Sequence, residues 1–140
     1  MKNINMISSR NKAHASILFI VYDSLLYDKF QVEYDIKELI TDIVGAENYE
    51  DVDAFVKEVV IKTLLHEEEL IKEIEPHLVK WTFNRLPLLT QAILLSSLAK
   101  RKYVSNIDRN VIIDVAINLA KKYLKDNDYR FINAILDNIL

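Results

Sequence analysis

The densest set of groups able to move a proton or hold a metal is the run His66, Glu67, Glu68 and Glu69. A zinc site on a helix needs two ligands four residues apart on one face. The only spaced partner of His66 is His77, eleven residues on and across Pro76, so the geometry is wrong and the run reads as a solvated acidic stretch. Ser8 and Ser9, and Ser96 and Ser97, have neither a flanking glycine elbow nor a nearby histidine, which leaves a hydrolase nucleophile unsupported. Helix capping and small-residue packing account for them. Cysteine is absent, which excludes disulfides, zinc fingers, iron–sulfur clusters and thiol catalysis and fits a reducing cytoplasm. Gly45 is the only glycine, so no phosphate-cradling loop can be built. These residues support neither a metal site nor a catalytic nucleophile, and no cofactor is expected.

Charge is distributed unevenly along the chain. The chain totals −3, but residues 1–33 carry +1, residues 34–80 carry −8 and residues 81–140 carry +4. Basic groups gather at Lys100, Arg101 and Lys102, at Lys121, Lys122, Lys125 and Arg130, and at Arg10, Lys12 and His14. Charges segregated in this way can give a positive face that attracts phosphate although the total is acidic. Charge alone also fits an ordinary solvated helix surface.

The elements that must position these groups read as helices. Two prolines, one glycine and little strand alternation predict an all-α bundle of about six or seven helices, a single domain over residues 1–140. Ser9 is placed to cap a first helix running to about Tyr27, apolar on more than one side and therefore central. Asp35 with Glu38 resembles a capping box for a helix that Gly45 stops. A longer helix is expected from Asp51, and a further one through LIKEIEPHLVKW, bent or broken at Pro76. Pro87 suits the first turn of a helix through Leu98, Asp108 opens another, and the last starts near Asp128. In that last helix Phe131, Ile132, Ile135, Leu136 and Ile139 form an apolar face with Asn133 set among them. The polar start and the interruption of ILFIVYDSLL by Asp23 fit neither a signal peptide nor a membrane span, and predict a soluble intracellular protein.

Four ordered motifs point further. SRNKAHASILFIVY opens the chain; Trp81, Arg85, Leu86 and QAIL follow; then come IIDVAINLAKKY and FINAILD. This order resembles the NusB family of transcription antitermination factors, whose members show SRRKARELALQALY, RAILRLALYEL, VAINEAVELAKKY and FVNGVLD. Residues 30–75 match only as helix pattern. The resemblance implies two packed helical subdomains and binding of boxA-type single-stranded RNA together with the ribosomal protein NusE, in an elongation complex transcribing ribosomal RNA. It also implies that some members dimerise through the RNA-facing side.

On this resemblance Arg10, Lys12, His14, Tyr22, Asn127, Arg130, Phe131 and Asn133 face RNA, with Phe131 stacking on a base, Asn133 reading a base edge and Arg130 holding phosphate. Ordinary core packing of Phe131 and helix cross-linking by Asn133 are the competing readings. The two ends of the chain are then expected to meet on one positive side. Leu95, Ala99 and Lys100 fall on the helix implied to face the protein partner. Asn11 and His14 stand where the family usually has arginines, Gln91 and Leu95 likewise, and Lys100 replaces a glutamate. Each missing phosphate contact weakens binding and flattens its salt dependence, and a reversed interface charge disfavours the old partner unless it has changed too. A helical self-associating scaffold or ribosome-assembly factor is the alternative. A related RNA methyltransferase fusion would need a glycine-rich sheet that these residues do not supply.

Overall fold

The computed structural model describes residues 2–140, with side chains from Arg10 onward. Among the described residues there are seven α-helices and no strand: α1 Lys2–Lys29, α2 Ile36–Val44, α3 Ala54–Leu65, α4 Glu67–Ile74, α5 Leu88–Tyr103, α6 Arg109–Tyr123 and α7 Asp128–Ile139. The all-α expectation holds. Short 3-10 turns at Tyr49–Asp51, Glu75–His77 and Phe83–Arg85 join α2 to α3 and α4 to α5.

Several boundaries follow from single residues. The Asp35 carboxylate accepts from the backbone N–H of Lys37 at 2.9 Å and of Glu38 at 3.1 Å, satisfying two of the donors that a helix start leaves free. Gly45 takes φ +75°, and its N–H bonds the carbonyls of Thr41 and Asp42, the left-handed stop that other residues adopt at a cost. Pro87 stands just before α5 rather than in its first turn, and Asp108 precedes α6 without making a side-chain cap bond. Other expectations shift. Helix α1 already runs through Ser9 from Lys2, so that serine is no cap. Asp51 closes a 3-10 turn, and Asp53 caps α3 through a 2.7 Å bond to the Phe55 N–H. Helix α4 stops at Ile74 because a 3-10 turn containing Pro76 takes over. Trp81 therefore lies in irregular chain, 54% exposed.

Helix α5 is the axis of the molecule. Every residue from Thr90 to Lys100 is buried, because α1, α3, α4, α6 and α7 all pack around it. Helices α1, α2 and α3 form one group, α4 to α7 the other, and α1 against α5 is the main seam between them. Ile17, Leu18, Ile20 and Val21 of α1 meet Leu94, Leu95 and Leu98 of α5 in one continuous core. A helix buried on every side must be nearly all apolar or internally satisfied. In α5, Ser96 bonds the Ala92 carbonyl at 2.8 Å, and the Gln91 amide donates to the Leu86 carbonyl at 2.8 Å. Among the described residues no helix is long and apolar enough to cross a membrane.

The acidic run also finds a structural explanation. His66 stacks on Tyr103 with ring centroids 4.0 Å apart, and the Tyr103 hydroxyl donates to Glu69 at 3.2 Å. Lys102 pairs with Glu73. These contacts clip α4 to the end of α5. Among the described residues no group of three acidic, histidine or cysteine side chains could hold a metal.

Candidate nucleic-acid interface

Helix α6 sets the geometry. It lies beside α1 with the two running in the same direction: Arg10 shares a cleft with Asp108 and Val111, Asn11 and Ala15 share one with Val115 and Asn118, and Phe19 meets Tyr123 edge-on at 5.0 Å. The first of these clefts encloses about 640 Å³ and is walled by Arg10, His14, Phe55, Asn106 and Val111. The second, about 230 Å³, is walled by Asn11, His14, Asn118, Lys122 and Tyr123. His14 borders both, so they form consecutive stretches of one groove between α1 and α6.

Arg10 is exposed, and its guanidinium lies 4.3 Å from the centroid of the Phe55 ring. A cation over an aromatic face is held by about 0.5–1 kcal/mol at an exposed site, which fixes its direction while leaving its donors open. His14 is buried. Its ring meets Phe55 edge-on at 5.5 Å, and Nδ1 lies 3.1 Å from Lys100 Nζ. Burial, then the charges of Lys100 and Arg10, lower its pKa to about 3, so it is neutral at pH 7 and supplies no cation. Lys12 is exposed. Tyr22 is packed against the core, twelve residues beyond Arg10 and thus about 18 Å along α1. It does not line the groove with Arg10.

The other end of the expected site is at the start of α7. Asn127 is exposed and precedes the helix without making a side-chain cap bond. Arg130 is exposed, with its guanidinium 5.9 Å from the Tyr129 ring, and Lys121 sits 4.7 Å over the same ring. Phe131 is half-buried. It lines a cleft of about 280 Å³ with Trp81, Leu86, Pro87, Thr90 and Asp128, so the ring is neither sealed in the core nor free in solvent. Asn133 is half-buried and makes no side-chain hydrogen bond among the described residues, in contrast to the cross-link considered from sequence.

Arg10 and Arg130 therefore line no common cleft. One stands by the first turn of α6, the other by its last, and Asp108 to Lys121 spans about 20 Å of helix. The anticipated meeting of chain ends is replaced by a strip, with α6 connecting the two basic ends. Asn118 and Lys122, on the α1-facing side of α6, belong to that strip and were not singled out by spacing. Their i, i+4 relation was a signal for it.

The partner-facing reading of α5 needs correction. Leu95 and Ala99 have no exposed surface and Lys100 retains 3%, because α5 is surrounded by five other helices. Their side chains face the core of this chain. Burial lowers the Lys100 pKa to about 7, so its charge is marginal at neutral pH. Gln91, buried and bonded to Leu86, is likewise structural.

An all-helical bundle with a polar, partly basic groove along one helix is the class that this geometry defines. Residues 11–140 match the NusB family, and the chain belongs to that family. It is 32% identical over 110 residues to transcription antitermination protein NusB of Bacillus subtilis (strain 168), covering 79% of this chain and 84% of that one. It is 30% identical over 135 residues to the protein of that name from Finegoldia magna, covering 94% and 93%. Among solved structures, T. maritima NusB superposes with a TM-score of 0.78 at 23% identity, over 93% of this chain and 89% of that one. A complex of antitermination factors NusB and NusE with dsRNA superposes with a TM-score of 0.75 at 23% identity, over 93% and 94%.

Proposed function

We propose that this chain is an RNA-binding transcription antitermination factor that takes up boxA-type single-stranded RNA together with the ribosomal protein NusE during ribosomal RNA transcription. Family membership supports the class of activity. The observation that carries RNA binding is the α1–α6 groove, where Arg10, Asn11, Asn118 and Lys122 face a common channel. Guanidinium and ammonium groups hold phosphates, and carboxamides can read base edges. On this reading Arg130, Phe131, Asn127 and Asn133, at the start of α7, meet RNA beyond the far end of the groove. The NusE-type partner meets surface other than Leu95, Ala99 and Lys100, which are interior. Delivery to an elongation complex in the cytoplasm follows from this reading, and a homodimer through the groove would compete with RNA.

Titration of labelled boxA-type RNA, with and without NusE and at several salt concentrations, tests it. Salt-sensitive binding that prefers boxA over a scrambled oligonucleotide and tightens with NusE is expected. Equal affinity for both RNAs under all conditions would overturn it.

A further inference from the structure

The cleft beside α7 has a composition unlike the rest of the strip. Trp81 and Phe131 offer two aromatic surfaces, Leu86 and Pro87 add apolar wall, and Asp128 contributes a carboxylate. The volume of about 280 Å³ admits a flat ring system but not a folded segment of protein. Trp81 is 54% exposed, a large apolar surface left in water beside an open slot. The Asp128 carboxylate is exposed and takes part in no side-chain hydrogen bond or ion pair among the described residues.

We propose that this slot between Trp81 and Phe131 receives one unpaired base of the bound RNA and that Asp128 makes guanine the preferred base. The proposal rests on the RNA-binding reading above and adds a site and a letter to it. Aromatic side chains stack on any base, so selectivity must come from the polar group at the edge. An ionised carboxylate only accepts hydrogen bonds. Guanine alone among the four bases presents adjacent ring and exocyclic N–H donors on its pairing edge, matching the two oxygens of one carboxylate. Adenine and cytosine offer one amino donor next to a ring acceptor, which the carboxylate repels, and uracil sets carbonyls on both sides of its single donor.

A basic side chain of a protein partner could also sit between an aromatic ring and a carboxylate. The surroundings favour RNA. Lys80 adjoins Trp81, Arg85 adjoins Leu86 and Arg130 adjoins Phe131, and all three are exposed. They repel a cation and supply phosphate contacts to the nucleotides flanking a captured base.

Trp81 is the only tryptophan, so its fluorescence reports this slot, while anisotropy of a labelled RNA reports binding anywhere on the protein. The full chain is titrated with a boxA-type RNA and with variants changed at one position at a time. Quenching of Trp81 that tracks binding is expected, together with one position where guanosine is preferred over adenosine or inosine about 10-fold. Trp81→Ala should weaken binding about 10-fold with unchanged melting, Trp81→Phe much less, and Asp128→Asn should erase the guanosine preference while RNA still binds. Binding without Trp81 quenching, or a base preference that survives Asp128→Asn, overturns the slot and leaves the RNA-binding reading standing. Absence of RNA binding overturns both. Quenching by an arginine-containing peptide but not by RNA assigns the slot to a protein partner and also overturns the proposal.

Discussion

Lys100 Nζ lies 3.1 Å from His14 Nδ1, joining α5 to α1 across 86 residues of sequence inside the main helix seam. When Lys100 is protonated it has only donors and Nδ1 accepts, whereas the neutral amine can also accept from an Nδ1–H. Both groups are buried, and His14 is neutral because its pKa is lowered to about 3. By sequence, His14 looked like one lost RNA contact and Lys100 like one reversed partner charge. In space they are a single internal contact. On the resemblance to the family motifs, these are the positions where an arginine and a glutamate are expected.

That contact makes stability depend on pH. Lys100 has a folded pKa of about 7 against an ordinary 10.5, so between these values the unfolded chain holds a proton that the folded chain lacks, and stability rises with pH. Burial gives His14 the same sign in a lower window, from about 3 to 6.5, where acidification destabilises. Each window contributes a slope of up to about 1.4 kcal/mol per pH unit. Denaturation midpoints of wild type and Lys100→Met, measured from pH 6 to 10, should converge as pH rises. A constant difference between them refutes the burial of the amine.

A double-mutant cycle tests whether the two positions are energetically coupled. Lys100→Glu alone places a carboxylate beside a neutral ring, and His14→Arg alone places two cations together. Each should destabilise by about 2 kcal/mol or more. The double variant should recover at least about 1 kcal/mol of the sum. Additive losses in chemical denaturation would mean that the two sites respond independently.

The sequence carried the helix boundaries wherever one residue determines the backbone: Asp35 and Gly45 cap α2 through bonds and a dihedral that they alone provide there. It failed where tertiary packing chooses. Nothing local distinguishes α5, whose buried run includes Ser96, Ser97 and Lys100, from a one-sided helix, and its interior position arises from five neighbours in distant segments. Hence Leu95, Ala99 and Lys100 were mistaken for surface. The site was legible in kind and less so in layout. Phe131 and Arg10 do border clefts, but the alignment of α1 with α6 that recruits Asn118 and Lys122 is a long-range fact. Trp81 was expected on a helix because its spacing continued a period that Pro76 had already ended.

Phe131→Ala separates stacking from packing. The ring is half-buried, so its loss should cost about 1–3 kcal/mol, less than the roughly 3–5 kcal/mol of a fully interior phenylalanine. RNA affinity at saturating folding should fall about 10-fold if the ring stacks on a base. Thermal melting and RNA titration on the same preparation distinguish the two effects. A large melting loss with unchanged affinity returns Phe131 to the core.

Lys122→Ala probes the groove electrostatically. The side chain is exposed and its ammonium lies 5.3 Å from the centroid of the Tyr123 ring, so stability should change by no more than about 0.5 kcal/mol. One phosphate contact to a single strand contributes about 0.7 to the slope of log affinity against log salt. The variant should lose about that much slope for boxA-type and scrambled RNA alike, because phosphate contacts carry no sequence information. An unchanged slope would remove Lys122 from the RNA path.

Leu95→Arg decides how α5 is oriented. The family pattern places an arginine at this position, and a surface-facing helix would accept it without loss. Here Leu95 has no exposed surface and lies among the buried residues of the core. An arginine would have to bury its charge without a partner or push the helices apart, at a cost of several kcal/mol. A loss of about 3 kcal/mol lowers the melting temperature of a chain this size by roughly 10 °C. Arg101→Ala, six residues on at an exposed position, should melt with wild type. If Leu95→Arg melts as wild type and Arg101→Ala does not, the inward face of α5 has been assigned to the wrong side.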